Sequence, residues 1–255
     1  MSLPSVSEVR SRIEGVEHEG TRNCLKATLL FCARIGEVVA YKLASDKQTT
    51  ARGNLLRVTE MTYTPDLFNE KETQTLMLMA MIQGKSATMK TLSKIREPVA
   101  VFQVSTHKRL GMIREIALPT NPVYEPWTRS LVAYFKSQKE GAAFPYNRQQ
   151  MWVVANEAFK GLEYKIMGYK KVVGKDLEGK PQKEVIREHM RDFALQALRH
   201  LRGSELRNYY NFDGADRSAY GGWTLRTTEG VSGSQDRYVE LPWRSYFPKL
   251  LRKRA

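Results

Sequence analysis

A chain of 255 residues, 42% of them hydrophobic, holds enough apolar side chain to bury one large core or two small ones, so it is expected to fold alone. Its 41 Lys and Arg against 27 Asp and Glu, a formal charge of +14, generate a field that attracts polyanions; nucleic acid is the expected partner, and an anionic membrane surface the weaker one. No apolar run approaches membrane-spanning length and the opening MSLPSVSEVR lacks the order of a secretory signal, so the expectation is an intracellular protein in which Cys24 and Cys32, without partners at zinc-ligand spacing, are reduced core residues.

In chain order, Ser5 to Gly15 predicts a short helix, with Ser5 or Ser7 as its cap and Glu8 in its first turn. Thr21 to Arg34 predicts a core helix, because Leu25, Thr28, Leu29 and Cys32 recur at helical spacing, and Gly36 to Tyr41 continues or restarts it. Residues 52–64 and 98–118 are rich in β-branched and aromatic residues, and the polar turn inside the second makes it a β-hairpin. Between them, Met-rich Asn69 to Lys94 reads either as a helix through TQTLMLMAMIQ or as a buried strand.

Glu125 to Ser137 and Asn147 to Phe159 carry helical patterns. Around Gly168 to Lys183 the composition turns to Lys, Gly and Pro, and GKDLEGKP is a loop signal. Met190, Phe193, Ala194, Ala197, Leu198 and Leu201 then form the clearest helical repeat in the chain. Gly214 to Gly233 reads largely as loop, and Arg237 to Arg254 as one or two short helices ending in a basic cluster. No repeat, phosphate-binding loop, dinucleotide fingerprint or paired-histidine motif is present, and the acidic residues form no evident two-metal cluster; no cofactor and no metal are expected.

Two segments carry residues suited to phosphate. FALQALRHLRGSEL (193–206) sets Gln196, Arg199 and His200 on one side of its helix, and TLLFCARIGEVVAY (28–41) sets Arg34 at the end of an apolar helix, where a nearly buried guanidinium needs a partner such as Glu37. A charged helix face is usually only solvated, and an arginine at a helix end usually only a cap, so each segment alone says little.

Taken in order, LLFCARIGEVVAYK, a lysine-bearing hairpin, QALRHLRGSEL, YGGW and DRYV resemble the catalytic domain of tyrosine recombinases (integrases), over nearly the whole chain. The resemblance implies a single α+β domain at 1–255, mainly helical with a small antiparallel β-sheet and a basic C-terminal tail at 237–255, and with the helical DNA-clamping domain of the family absent in front of it. Position by position it implies that Arg34 is the first arginine with Glu37 as its accompanying acid. Lys108 is the hairpin lysine, with Arg109 its neighbouring competitor, and Arg199 and His200 form the second arginine motif. Trp223 stands at the His-or-Trp position and Tyr238 is the nucleophile. Gln196 departs from the pattern, because the family has His there, and glutamine hydrogen-bonds phosphate but cannot shuttle a proton. His200 or water is left for that task.

These residue types suit the chemistry. Two arginines clamp the charge that builds on the non-bridging phosphate oxygens, a tyrosine stores the bond as a phosphotyrosyl ester, and a lysine protonates the departing 5′ oxygen. The Trp223 indole adds a hydrogen bond or packs the site closed. Tyr220, Tyr246, Tyr209 and Tyr210 compete with Tyr238, and Tyr246 reads instead as an anchor for the last helix. The expectation is therefore site-specific recombination of double-stranded DNA by a homotetramer assembled on DNA and monomeric when free, in the cytoplasm beside the nucleoid. Type IB-like nicking and closing, or DNA binding by a catalytically decayed protein, are the alternatives.

Overall fold

Ser5 accepts a hydrogen bond from the Glu8 N–H at 3.1 Å and starts helix α1 (Val6–Glu14), as the sequence predicts. The computed structural model describes residues 3–39, 55–105, 113–138, 143–175, 181–222 and 243–253. Helix α2 (Glu19–Leu30) carries the anticipated stripe, with Leu25, Thr28 and Leu29 buried, but it stops at Leu30 rather than Arg34. There the Ala33 N–H reaches back to the Thr28 carbonyl (3.2 Å) and the Cys32 N–H to that of Leu29 (3.0 Å), the paired bonds that close a helix over a left-handed residue. That residue is Cys32, at φ 51°, a conformation that costs a residue with a Cβ about 1–2 kcal/mol and that glycine ordinarily fills. The Cys32 Sγ donates to the Arg199 carbonyl at 3.4 Å, so contacts far along the chain hold the turn. Helix α3 (Ile35–Val38) restarts after the break with Arg34 as its cap.

Strands β1 (Leu55–Tyr63), β2 (Glu97–Ser105) and β3 (Ile113–Pro119) form an antiparallel sheet in that order. The register sets Val58 beside Phe102 and Phe102 beside Ile116. The β2–β3 hairpin is the predicted one, although its tip, with Lys108 and Arg109, lies outside the described residues. The Met-rich segment is a helix, α4 (Glu70–Ile82), capped by Asn69. One side, through Thr75, Leu76 and Met79, is buried, and Leu78 and Met81 face outward. A short helix α5 (Met89–Leu92) leads into β2, and α6 (Thr128–Ser137) and α7 (Arg148–Ala158) follow the sheet where periodicity predicts them.

Three expectations fail. The supposed loop near Gly168 to Lys183 is crossed by two long strands, β4 (Glu163–Lys175) and β5 (Pro181–Asp192), paired as an antiparallel ribbon. Apolar residues described in these strands, Met167, Val173 and Val185 among them, are largely exposed, so the pattern of a half-buried strand is weak there. Helix α8 (Leu195–Asn208) begins later than its repeat suggests, because Met190 belongs to β5 and is 49% exposed. Phe193 precedes the helix and packs edge-on against Phe159 at 5.2 Å. The glycine-rich stretch contains helix α9 (Gly214–Gly221), started by a reciprocal cap between Asp213 and Asp216, a device that outweighs the low helix propensity of glycine. The predicted C-terminal helices are a 3-10 turn at Trp243–Ser245 and α10 (Phe247–Leu250).

The described residues thus make a mixed α+β protein with ten α-helices and two small antiparallel sheets. One apolar core runs from Val9 of α1 through Leu29 and Phe102 to Leu198 and Leu250. Cys24 and Cys32 are both buried and free, as expected; burial pushes the Cys32 thiol up to about 11 despite the opposing pull of Arg199. Among the described residues no helix is long and apolar enough to cross a membrane.

Candidate active site

The break after α2 turns Glu37 of α3 into the protein, where it is 2% exposed. Its carboxylate accepts the Arg34 backbone N–H at 2.9 Å and faces the Arg34 guanidinium at 3.2 Å. Arg199 of α8 approaches the same carboxylate to 3.4 Å, and Arg114 of β3 to 3.6 Å. Three elements distant in sequence therefore bring three guanidinium groups to one acid. The cluster holds two more positive than negative charges.

The three arginines differ in what else they touch. Arg199 donates to the Gly221 carbonyl at the end of α9 (2.8 Å). Arg114 donates to the carbonyls of Phe31, at 3.0 Å, and of Tyr220. Both are almost wholly buried, whereas the Arg34 side chain is 35% exposed and forms the open edge of the cluster. Burial lowers the affinity of Arg199 for its proton, and the charges of Arg114 and Arg34 lower it further, against the raising effect of Glu37. Guanidinium stays charged under any ordinary condition, so the cost of this crowding is borne as stored repulsion that an added anion would relieve.

Arg114 was not among the residues singled out from the sequence. Its signal was present: Arg114, Ile116 and Leu118 alternate on one face of β3, and all three are buried, so a lone arginine interrupts an apolar strand face. Arg202, one turn beyond Arg199, is also buried, but it is engaged by Glu205 and the Tyr220 hydroxyl and braces α8 against α9.

Gln196, Arg199 and His200 do not share one environment. Gln196 and His200, four residues apart, are exposed on α8, and Arg199 turns inward from the same helix. Beside them a groove of about 410 Å³ is lined by Arg199, His200, Ser204, Arg207 and Arg217, a polar and basic wall continuous with the cluster. Burial of part of the ring, then the neighbouring Arg199 charge, pushes the His200 pKa down.

Trp223 and Tyr238, like Lys108, lie outside the described residues; Trp223 follows Gly222, which ends α9 at φ 65°. The competing tyrosines have structural positions. Tyr210, Tyr220 and Tyr246 are buried, and the Tyr209 hydroxyl donates to the Lys253 carbonyl. Tyr246 is the anchor the sequence suggests: its hydroxyl donates to the Glu115 carbonyl (3.0 Å) and accepts the Ala117 N–H (3.2 Å), tying α10 to β3. Among the described residues no group of His, Cys, Asp and Glu is arranged to hold a metal ion.

Fold and site together define a mixed α+β protein with a buried, arginine-rich cationic centre beside a basic groove. No protein-family model matches the chain, and neither a curated protein nor a solved structure matches it.

Proposed function

We propose that this protein cuts and rejoins double-stranded DNA through a phosphotyrosyl intermediate, as a site-specific recombinase of the tyrosine recombinase type working as a tetramer on DNA. The observation that carries the reading is the meeting of Arg34 and Arg199, together with Arg114, on Glu37. Two arginines singled out in the sequence, 165 residues apart by their numbers (199 − 34), meet on one buried carboxylate, an arrangement that suits a clamp for phosphate.

In this mechanism the Tyr238 oxygen attacks the scissile phosphorus, and the bond to the 5′ oxygen breaks. The 3′ phosphate stays on the tyrosine, Lys108 gives a proton to the departing 5′ oxygen, and the phenolic proton passes to His200 or to water. Arg34, at the open edge of the cluster, meets the phosphate oxygens, with Arg199 behind it adding charge in a site of low dielectric, where such stabilisation is strongest. The reverse attack by a 5′ hydroxyl rejoins a strand without ATP. The structural employment of Tyr209, Tyr210, Tyr220 and Tyr246 supports Tyr238 as the nucleophile. A second reading, a DNA-binding protein with a decayed site, draws on Gln196 in place of a proton-shuttling residue.

The test is a pool of nicked duplexes of randomised sequence, from which covalent adducts are recovered on denaturing gels. An adduct formed by the native protein and lost in Tyr238→Phe is the expected result, with Arg34→Ala slowing its formation by roughly 10²–10³-fold, the usual effect of deleting one charge-stabilising donor. DNA binding with no adduct under any condition would favour the decayed binder. Adducts at random positions, with relaxation of supercoiled plasmid, would favour nicking and closing.

A further inference from the structure

The groove beside α8 enters the chemistry above only through Arg199 and His200, yet its basic character extends well beyond them. Arg199, Gly203 and Arg207 stand at i, i+4 and i+8 along one row of α8, with His200 and Ser204 in the adjoining row. Gly203 has no side chain, so α8 puts nothing of its own between the two guanidiniums. Arg217 of α9 adds a third guanidinium to the same lining.

Among the described residues that line this groove of about 410 Å³ there is no carboxylate. The acids closest to it in sequence are engaged elsewhere. Glu205 pairs with Arg202, and Asp213 accepts the Asp216 N–H at 2.8 Å and faces Lys249 at 3.7 Å. Glu37, which meets Arg199 at 3.4 Å, is shared with Arg34 and Arg114. The Arg217 Nε donates to the Asp213 carbonyl at 3.3 Å, a bond that fixes the guanidinium and leaves its two terminal nitrogens as a fork for an anion. A single exposed arginine is ordinarily only solvated. Three of them from two helices around one concavity make a site whose missing charge is that of a phosphate.

We propose that this groove is a second phosphate site, which holds a backbone phosphate of the bound DNA strand near the one that reacts, with Arg207 and Arg217 as its ligands. Arg199 and Arg207 are eight residues apart by their numbers (207 − 199), about 12 Å at 1.5 Å per helical residue. A duplex strand carries a phosphate for every ~3.4 Å of axis, so the span covers more than one phosphate step. Gripping a second phosphate fixes the strand's direction and holds the first in line for attack, which makes Arg207 and Arg217 positioning residues. The assignment rests on the reading of the substrate as duplex DNA, but on no bond-breaking step.

The experiment titrates the full chain with inorganic phosphate at constant pH and ionic strength and follows its histidine NMR signals, with that of His200 identified by its loss in His200→Gln. The His200 signal is expected to shift saturably in the native protein and in Arg34→Gln, which removes a charge from the cluster and not from the groove. In Arg207→Gln/Arg217→Gln half-saturation should need at least ~10-fold more phosphate, as the loss of charge-assisted hydrogen bonds implies. Thermal unfolding checks that each variant is folded, and Arg207→Gln alone, at an exposed position, gives a second reading of the same effect. A saturating short duplex of mixed sequence should abolish the response to phosphate, because its own backbone fills the groove. No response in the native protein, or an equal one in Arg207→Gln/Arg217→Gln, would overturn the site and leave the recombinase reading standing. A response that persists with duplex bound would make the groove a site for free phosphate and overturn its assignment to DNA. A chain that takes phosphate in the groove but binds no duplex would overturn the recombinase reading with it.

Discussion

Glu37→Gln tests whether the cationic cluster is held together by one buried charge. The substitution preserves size and an acceptor for the Arg34 N–H, but leaves Arg199 and Arg114 facing each other without the carboxylate that lies 3.4 and 3.6 Å from them. Removing one partner of a buried ion pair costs about 3–5 kcal/mol. The Gly221 and Phe31 carbonyls still receive hydrogen bonds from these two guanidiniums, and the part-exposed Arg34 is screened by solvent, so the low end, about 3 kcal/mol, is expected. For a chain of this size each kcal/mol lowers the melting temperature by about 2–4 °C, which gives a fall of about 6–12 °C by calorimetry. Inorganic phosphate should recover part of the loss, because it returns negative charge to the cluster. A melting temperature within about 2 °C of the native value, indifferent to phosphate, would refute the claim that Glu37 neutralises the arginines.

Two further outcomes follow from named contacts. Tyr246→Phe removes a fully buried hydroxyl and strands the Glu115 carbonyl and Ala117 N–H it serves, so urea unfolding should show a loss of about 1–3 kcal/mol with covalent adduct formation unchanged; loss of the adduct with stability intact would instead make Tyr246 the nucleophile. The folded-state pKa of His200 lies below its ordinary 6.5, by burial first and the Arg199 charge second, so protonation favours the unfolded chain. Stability should therefore be full above pH 6.5 and decline as pH falls below 6.5 toward the folded value. That part of the decline should vanish in His200→Gln, and an NMR titration midpoint for His200 above 6.5 would contradict the assignment.

Much of the local structure was legible because its causes are local. Ser5 and Asn147 cap the helices they precede, since a side-chain acceptor and the N–H groups it serves lie within one turn. The β2–β3 hairpin declares itself through two β-branched runs around a polar turn. The ribbon and α9 were illegible for the opposite reason. Strands whose described apolar residues are largely exposed show only a weak period of two, and a glycine-rich helix held by the Asp213–Asp216 cap carries little apolar stripe.

In the site, the sequence by itself determined that Arg34 would need Glu37, because a guanidinium entering apolar surroundings demands a nearby acid and three residues is a helical reach. Only the tertiary structure decided that Arg199 and Arg114 join them. That convergence depends on Cys32 adopting a left-handed turn without glycine, with its thiol donating to the Arg199 carbonyl, and on β3 carrying Arg114 beneath the Phe31 and Tyr220 carbonyls. Each of these contacts spans more than 80 positions of chain, and such pairings are selected by how the core packs, not by any pattern a short window of residues can express.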